Sequence, residues 1–301
     1  MKRTEPFEMY QPTTLQEASR LLKEKGPGGR FLAGGTDLVI AMKEKGLAPE
    51  YIVDLKRLPG LSGIRRNSDG SIIIGALTTM REIETSKLLR EKYPFLCQGA
   101  AEVGSIQIRN RATVGGNMSN ATPSADVAPS LIALQAIAKV AGAGGERTVA
   151  LEEFFLGPGR NALSPDEILT EITIPPTSPR LVGDYIKFSP REMMDLAYVG
   201  VAVVYSLKDK KCADVRIVLG AVAPTPIRAK KAEAALEGQI LSVELAANVG
   251  AIAAEEAKPI SDVRSSADYR RAMVGAMTKR ALLNAAAGPA KSWIERRDRR
   301  Y

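Results

Sequence analysis

Three prolines fall within the five residues Pro175-Pro176-Thr177-Ser178-Pro179, and they divide the chain into two stretches built on different plans. Proline has no N–H to give to a ladder and pushes the residue before it away from helical geometry, so neither a strand nor a helix runs through this segment. Ahead of it, short apolar strands alternate with helical periodicity. Behind it, alternating strands come first and alanine-rich helices follow. A change from one texture to the other is what a domain boundary produces, and 301 residues leave room for one large domain or two ordinary ones.

In the first stretch Leu15, Ala18, Leu21 and Leu22 recur at helical spacing and Gly26 stops the helix. Arg30–Ala33 reads as a short strand that runs directly into Gly34-Gly35. Thr36 is placed to cap a helix reaching about Lys45, with Asp37 in its first turn, and Tyr51–Leu55 reads as a second buried strand. Residues 63–75 read as a hairpin around Asn67-Ser68-Asp69-Gly70. Thr79 and Glu82 stand in capping-box register. A helix is expected over Pro94–Val103, an irregular stretch over Ile106–Ser124, a helix over Ala125–Leu134, a hairpin turned at Gly142–Gly145, and a strand over Glu167–Ile174. Beyond the prolines, Asp184–Phe188, Val199–Leu207 and Ala213–Val222 read as three strands of an antiparallel sheet. Arg228–Leu236, Val243–Lys258 and Ala267–Ala287 read as helices, and no repeat of solenoid length is visible.

Composition excludes more than it selects. The chain has no histidine, so histidine acid–base chemistry, histidine metal sites and Ser-His-Asp triads are ruled out within it. Cys97 and Cys212 are too few and too far apart for a four-cysteine iron–sulfur or zinc site, and reduced, partly buried thiols are expected rather than a disulfide. Redox chemistry on this chain therefore requires an organic cofactor. No apolar run is long enough to span a bilayer, and no secretory signal pattern opens the chain, so a cytoplasmic location is expected. Lys plus Arg exceed Asp plus Glu by 42 to 34, but the basic residues are scattered. The concentrated tail Arg296-Arg297-Asp298-Arg299-Arg300 lacks aromatic interleaving and reads as solvated, not as a nucleic-acid contact.

Two glycine clusters remain as candidates for ligand binding: Ala33-Gly34-Gly35-Thr36-Asp37-Leu38 and Thr113-Val114-Gly115-Gly116-Asn117. Paired glycines let backbone N–H groups approach an oxyanion, and neighbouring Thr and Asn add donors. Alone, each is equally a tight turn, and neither fits the dinucleotide fingerprint or a phosphate-binding P-loop.

Their surroundings carry a resemblance. Thr113-Val114-Gly115-Gly116-Asn117 followed by Ala125-Asp126-Val127-Ala128-Pro129, Ala33-Gly34-Gly35-Thr36-Asp37-Leu38 ahead of it, and Gly220-Ala221-Val222-Ala223-Pro224-Thr225-Pro226-Ile227-Arg228 behind it resemble, in order and spacing, three signatures of molybdenum hydroxylase flavoproteins. The likeness is to the medium, FAD-binding subunit of the carbon monoxide dehydrogenase and xanthine dehydrogenase type.

The resemblance implies an α+β fold: a two-subdomain FAD-binding domain of the vanillyl-alcohol-oxidase (PCMH) type over 1–177, with subdomains of about 1–57 and 58–177. A C-terminal three-stranded antiparallel sheet with helices would follow over 178–288, and 289–301 would be a basic tail. It implies that Ala33–Asp37 (Ala33, Gly34, Gly35, Thr36, Asp37) and Thr113–Asn117 (Thr113, Val114, Gly115, Gly116, Asn117) bind FAD at its diphosphate and adjoining ribityl, with Leu32, Leu38 and Val103 also among the cofactor-binding residues. Asp126 would accept a hydrogen bond from a cofactor hydroxyl, though a carboxylate at a helix N-terminus reads the same way. Leu169 would pack near the isoalloxazine, and an ordinary core leucine looks much the same. Lys187, in a stretch similar to the family's K-x-x-x-R…D-x-A pattern with Arg191 and Asp195, would set a cation near the flavin; a surface lysine is the other reading.

No catalytic side chain and no metal ligand is implied on this chain. Molybdenum cofactor and [2Fe–2S] clusters would sit on a large and a small partner subunit, with electrons arriving from the latter and leaving to an external acceptor. The chain would bury one face against the iron–sulfur subunit, its basic surplus serving that docking. The type with an extra iron–sulfur cluster in this subunit is disfavoured by the missing cysteines. Two other readings stay open here: a standalone FAD-dependent oxidoreductase, and a non-catalytic module that has lost FAD.

Overall fold

A computed structural model describes residues 4–191 and 194–288, so the basic tail at 289–301 lies outside the described residues. Contacts sort the chain into two compact units that do not follow its linear order. Met1–Glu82, Ile106–Ala121 and Ala136–Pro175 form the first; Ile83–Ser105, Thr122–Gln135 and Pro176–Tyr301 form the second.

The first unit opens with β1 (Glu8–Tyr10), α1 (Leu15–Lys25), β2 (Gly29–Leu32), α2 (Leu38–Glu44) and β3 (Tyr51–Asp54). Thr14 caps α1 by accepting from the Glu17 N–H, and Gly26 ends it at φ 85°. β1 and β2 both pair with β3 in parallel, giving the order β1-β3-β2. β1 has no counterpart in the sequence reading, because three residues of mixed polarity carry no periodicity. α2 starts at Leu38, so the capping position falls to Asp37 and not to Thr36 as expected, and the Asp37 side chain makes no cap bond.

The hairpin of β4 (Ile64–Arg66) and β5 (Ile72–Gly75) turns at Gly70, φ 90°, where Asp69 accepts from the Ser71 N–H. α3 (Met80–Thr85) carries the expected capping box: Thr79 N–H donates to Glu82 Oε2 at 2.7 Å and Glu82 N–H to Thr79 Oγ1 at 3.2 Å. α4 (Lys87–Lys92) and α5 (Pro94–Ala101) follow. The stretch read as irregular instead holds α6 (Ile106–Arg109) and α7 (Val114–Asn120). Both are short, and glycines at 115 and 116 suppress the helical signal of α7.

After α8 (Ala128–Ala133), β6 (Ile137–Gly142) and β7 (Gly145–Ala150) form a hairpin. α9 (Leu151–Phe154), β8 (Phe155–Gly157) and β9 (Arg160–Asn161) lead to β10 (Ile168–Ile174). The larger sheet of this unit is antiparallel with order β4-β5-β10-β6-β7, and β8 pairs with β9 separately.

The second unit is organised by β11 (Leu181–Phe188), β12 (Val199–Lys208), β13 (Lys211–Gly220) and β14 (Ile227–Arg228). This sheet has four strands, not the three expected. Ile227 and Arg228 pair with Leu219 and Val218, so the helix read from Arg228 begins only at α10 (Lys230–Leu236). Pro224 and Pro226 hide this strand in the sequence, since they break the alternation just ahead of it. α11 (Val243–Glu256) and α12 (Ala267–Ala286) complete the chain's described part.

Both faces of the sheet are covered. On one, Val201, Val203 and Tyr205 of β12 and Ile217 and Leu219 of β13 form a core with α10, α11 and α12, each buried valine contributing about 1.5–3 kcal/mol. On the other lie α5 and α8, supplied by the N-terminal half of the chain. Antiparallel sheets commonly leave one face to solvent. Here β12 is buried almost end to end, which explains its unbroken apolar run.

Candidate functional site

The first unit holds both glycine clusters, and they are in contact there. A Cβ placed on Gly34 would stand 2.0 Å from the carbonyl oxygen of Arg111, so only glycine lets this loop pass over the approach to the second cluster. A Cβ on Gly116 would lie 3.8 Å from that of Ala33. Gly35 turns the chain at φ 79° between β2 and α2, in the left-handed region that favours glycine. Lys56 donates to the Ala33 carbonyl at 3.4 Å while pairing with Asp54 at 2.7 Å, which ties the loop to the end of β3.

The two clusters use their backbone differently. Among the described residues, no protein acceptor meets the N–H groups of Gly34, Gly35, Thr36, Asp37 and Leu38. In the second cluster the N–H groups are spent internally. Val114 donates to Thr78 O at 3.0 Å, Gly115 to Ala76 O at 2.8 Å, Gly116 to Thr113 Oγ1 at 3.1 Å and Asn117 to Thr113 O at 3.0 Å. Gly115 is small for a packing reason: a Cβ there would meet the Cβ of Ala76 at 2.6 Å and its oxygen at 2.7 Å. Thr113 is the N-cap of α7.

What the second cluster leaves open is a side chain. Asn117 Oδ1 is buried with no hydrogen-bond partner among the described residues. A buried amide oxygen of this kind costs stability unless a donor arrives. Asp37 is largely exposed, yet desolvation raises its carboxyl above the usual value, with Lys45 pulling the other way. Leu169, fully in the core, sits on β10 beside an irregularity in its pairing with β6, a device that re-aims neighbouring residues. Leu32 reaches back toward Gly35, where a Cβ would meet it at 3.1 Å.

Val103, Asp126 and Lys187 belong to the second unit. Val103 is half-buried and donates to Ala100 O at the end of α5. Asp126 is buried and makes no cap bond to α8, whose N-cap is Val127. Its oxygens accept from Tyr185 Oη at 3.0 Å and from Lys187 Nζ at 2.9 Å. Burial pushes its carboxyl up to about 6, against the lowering effect of Lys187 and Tyr185. Lys187 is no surface residue: its side chain is 5% exposed, and Nζ also donates to Glu102 O at 3.0 Å. Arg191 and Asp195, from the same sequence pattern, pair with each other at 3.4 Å near the surface.

Tyr185 was not singled out by sequence, although a signal exists. It stands two residues before Lys187 on one strand, so both side chains point to the same face. The third family-like segment joins this group: Ala221 donates to Pro123 O, and a Cβ on Gly220 would meet the Pro129 ring at 2.9 Å.

Among the described residues there is no cluster of potential metal ligands, and no helix is long and apolar enough to cross a membrane. Both cysteines are free and fully buried, beyond the partial burial expected, and burial pushes the Cys97 thiol up to about 12. Neither is placed for thiolate chemistry.

Comparison with known proteins bears directly on these loops. Residues 5–177 match the family model for the FAD binding domain in molybdopterin dehydrogenase, and residues 184–285 that for the CO dehydrogenase flavoprotein C-terminal domain. The carbon monoxide dehydrogenase medium chain of Hydrogenophaga pseudoflava is 34% identical over 276 residues, covering 92% of this chain and 96% of the relative. The xanthine dehydrogenase FAD-binding subunit of Escherichia coli O157:H7 is 32% identical over 279 residues, covering 92% and 95%. Among solved structures, carbon monoxide dehydrogenase from Hydrogenophaga pseudoflava lacking the Mo-pyranopterin moiety of its cofactor superposes with a TM-score of 0.91 at 35% identity, over 95% of this chain and 99% of that one.

Proposed function

We propose, from the premise that this chain belongs to the family of FAD-binding subunits of molybdopterin dehydrogenases, that it is the electron-transferring flavoprotein of a cytoplasmic molybdenum hydroxylase complex. Its partners are an iron–sulfur small subunit and a large subunit with the molybdenum cofactor. Electrons reach this chain from [2Fe–2S] clusters and leave to an external acceptor. Residues 1–177 are the FAD-binding domain, and 178–288 the C-terminal flavoprotein domain.

The observation that carries this reading is the open amide loop at Gly34–Leu38 together with the unpartnered Asn117 Oδ1 in the cluster that the loop touches. Unspent N–H groups on a glycine loop suit a diphosphate, and a buried amide oxygen lacking a partner suits a ligand hydroxyl that donates to it. α2 has only seven residues, so the loop amides rather than a helix dipole do the binding.

FAD, when bound, supplies one- and two-electron chemistry that no side chain of this chain provides. The residues' own tasks are binding and orientation. Gly34, Gly35 and Thr36 donate backbone N–H groups to phosphate oxygens; Asn117 and Asp37 meet the polar groups adjoining them. Leu32, Ala33, Leu38, Thr113, Val114, Gly115 and Gly116 shape that surface, and Leu169 offers an apolar contact. In the second unit, Asp126 and Lys187 supply a fixed acceptor and a fixed cation, with Val103 packing beside Glu102. None of these tasks moves a proton, in keeping with a chain that has no histidine.

The test is the absorption spectrum of the purified chain, followed by native mass analysis of the co-expressed complex. Flavin bands, release of FAD on denaturation, and co-purified iron–sulfur and molybdenum subunits are the expected result. A chain that stays colourless after incubation with FAD overturns the proposal.

A further inference from the structure

Gln11, Ala33 and Asp54 stand at or just beyond the carboxyl ends of β1, β2 and β3, the three strands of one parallel sheet. Ligands of parallel sheets bind at that end. Asp54 is the register partner of Leu32, the last pair before the glycine loop begins at Ala33. Its buried carboxylate accepts from the Lys56 N–H at 3.1 Å and from Gln11 Nε2 at 3.4 Å, and it holds the Lys56 ammonium at 2.7 Å. Lys56 is 40% exposed, and a lysine at a surface ordinarily extends its charge into water. Here Nζ turns back and donates to the Ala33 carbonyl at 3.4 Å. That carbonyl shares a planar peptide with the Gly34 N–H, and the described peptide bonds are trans, so the two groups point in opposite directions. Fixing one aims the other. The Gly34 N–H itself has no protein acceptor among the described residues to hold it.

We infer that Lys56, anchored by the buried Asp54, is a positioning residue for the ligand diphosphate: by gripping the Ala33 carbonyl it holds the Gly34 N–H aimed away from itself, ready for a phosphate oxygen. This rests on the reading of Gly34–Leu38 as the diphosphate loop of an FAD subunit. The effect is one of orientation, not of net charge. Lys56 and Asp54 are a neutral pair 2.7 Å apart, so an anion on the far side of the peptide meets little of the lysine's field. What it meets is a peptide dipole already turned toward it. A peptide that leads into two glycines rotates at little steric cost, and a ligand that had to stop this rotation would bind more weakly. Holding the peptide still in the free protein removes that cost. Every group in the device lies in the first unit, together with both glycine clusters.

The experiment uses the full chain, with Lys56→Met and the double variant Lys56→Met/Asp54→Asn, in which no buried charge is left unpaired. Labelling alanine carbonyls with a carbon isotope and glycine amides with a nitrogen isotope gives an NMR signal only from Ala-Gly peptides. The sequence has four of these, at 33–34, 141–142, 143–144 and 287–288. In the FAD-free protein the 33–34 signal, identified by its loss in Ala33→Ser, is expected to move in both variants while the other three stay. FAD affinity, by fluorescence titration, is expected to fall about fivefold in both, because the two side chains act as one unit. Phosphorus NMR of the FAD-loaded variants should show a diphosphate resonance displaced, with the flavin absorption unchanged. A role in stability alone would move neither the 33–34 signal nor the phosphorus resonance. Either signal staying in place, or affinities equal to the wild type, overturns the inference and leaves Lys56 as a brace for the turn after β3. A wild-type chain that binds no FAD overturns the underlying reading instead, and the FAD-free signal tells the two failures apart.

Discussion

The two glycine clusters look alike in sequence and do different work in the fold. At Gly34–Leu38 the backbone N–H groups meet no protein acceptor among the described residues, and Gly34 clears a path over Arg111. At Val114–Asn117 every N–H is already bonded to Thr78, Ala76 or Thr113, and Gly115 is pressed against Ala76. One loop leaves its amides unspent among the described residues; the other is a helix start that locks α7 in place and presents a single side chain. A glycine pair in a sequence therefore says that backbone comes close to something, and only the partners of its amides say whether that something is a ligand or the protein itself.

The contrast breaks most sharply at Gly115. Gly115→Ala brings a methyl into the Ala76 backbone, and overpacking with displaced hydrogen bonds is expected to cost about 3 kcal/mol. The urea midpoint of the FAD-free chain reads this, and an unchanged midpoint would show the second cluster to be no structural lock. Next in size, Asn117→Ala separates ligand from fold. Without FAD the variant should be as stable as the wild type or slightly more so, because it removes an orphaned buried atom. Its FAD affinity should fall about tenfold, the worth of one good hydrogen bond at ~1.4 kcal/mol; equal affinities by fluorescence titration would remove Asn117 from the site.

Thr113→Val deletes the cap of α7 and is expected to lower FAD-free stability by about 1 kcal/mol, seen in thermal unfolding. The smallest effect belongs to Gly116→Ala. Its Cβ would meet Thr113 Oγ1 at 3.0 Å and has space on the Ala33 side, while alanine is favoured over glycine in a helix by about 1 kcal/mol. The net change should stay within about 1 kcal/mol, so any large loss of FAD binding in this variant would place Gly116 against the cofactor.

Much of the fold was legible where periodicity and capping agree. The Thr79–Glu82 box, the Gly142–Gly145 hairpin and the ends of α1 and α12 follow from local chemistry. What escaped was short or decided from afar. β1 and β14 are too brief to show alternation, and α7 owes its helix to Thr78 and Ala76 accepting its first amides, a tertiary effect no window of sequence contains. The candidate site was found through its motifs, but its division of labour was not. Nothing around Asp126 in the sequence points to a lysine 61 positions away, and the partnership of Tyr185 with Asp126 becomes visible only once β11 is known to pack against α5.

The assignment of α5 and α8 to the C-terminal sheet sets an order of events for the nascent protein. These helices leave the ribosome before the strands they cover, β11, β12 and β13, have been made. At ~5–20 residues per second the wait is on the order of ten seconds. During that time the buried faces around Phe95, Leu96, Leu131 and Ile132 have no sheet to pack on. Closure of the second unit is thus a late, long-range event, of the kind that slows folding and invites association with other chains. Cutting the gene at the prolines, where the sequence changes texture, would deprive the sheet of one of its two covers.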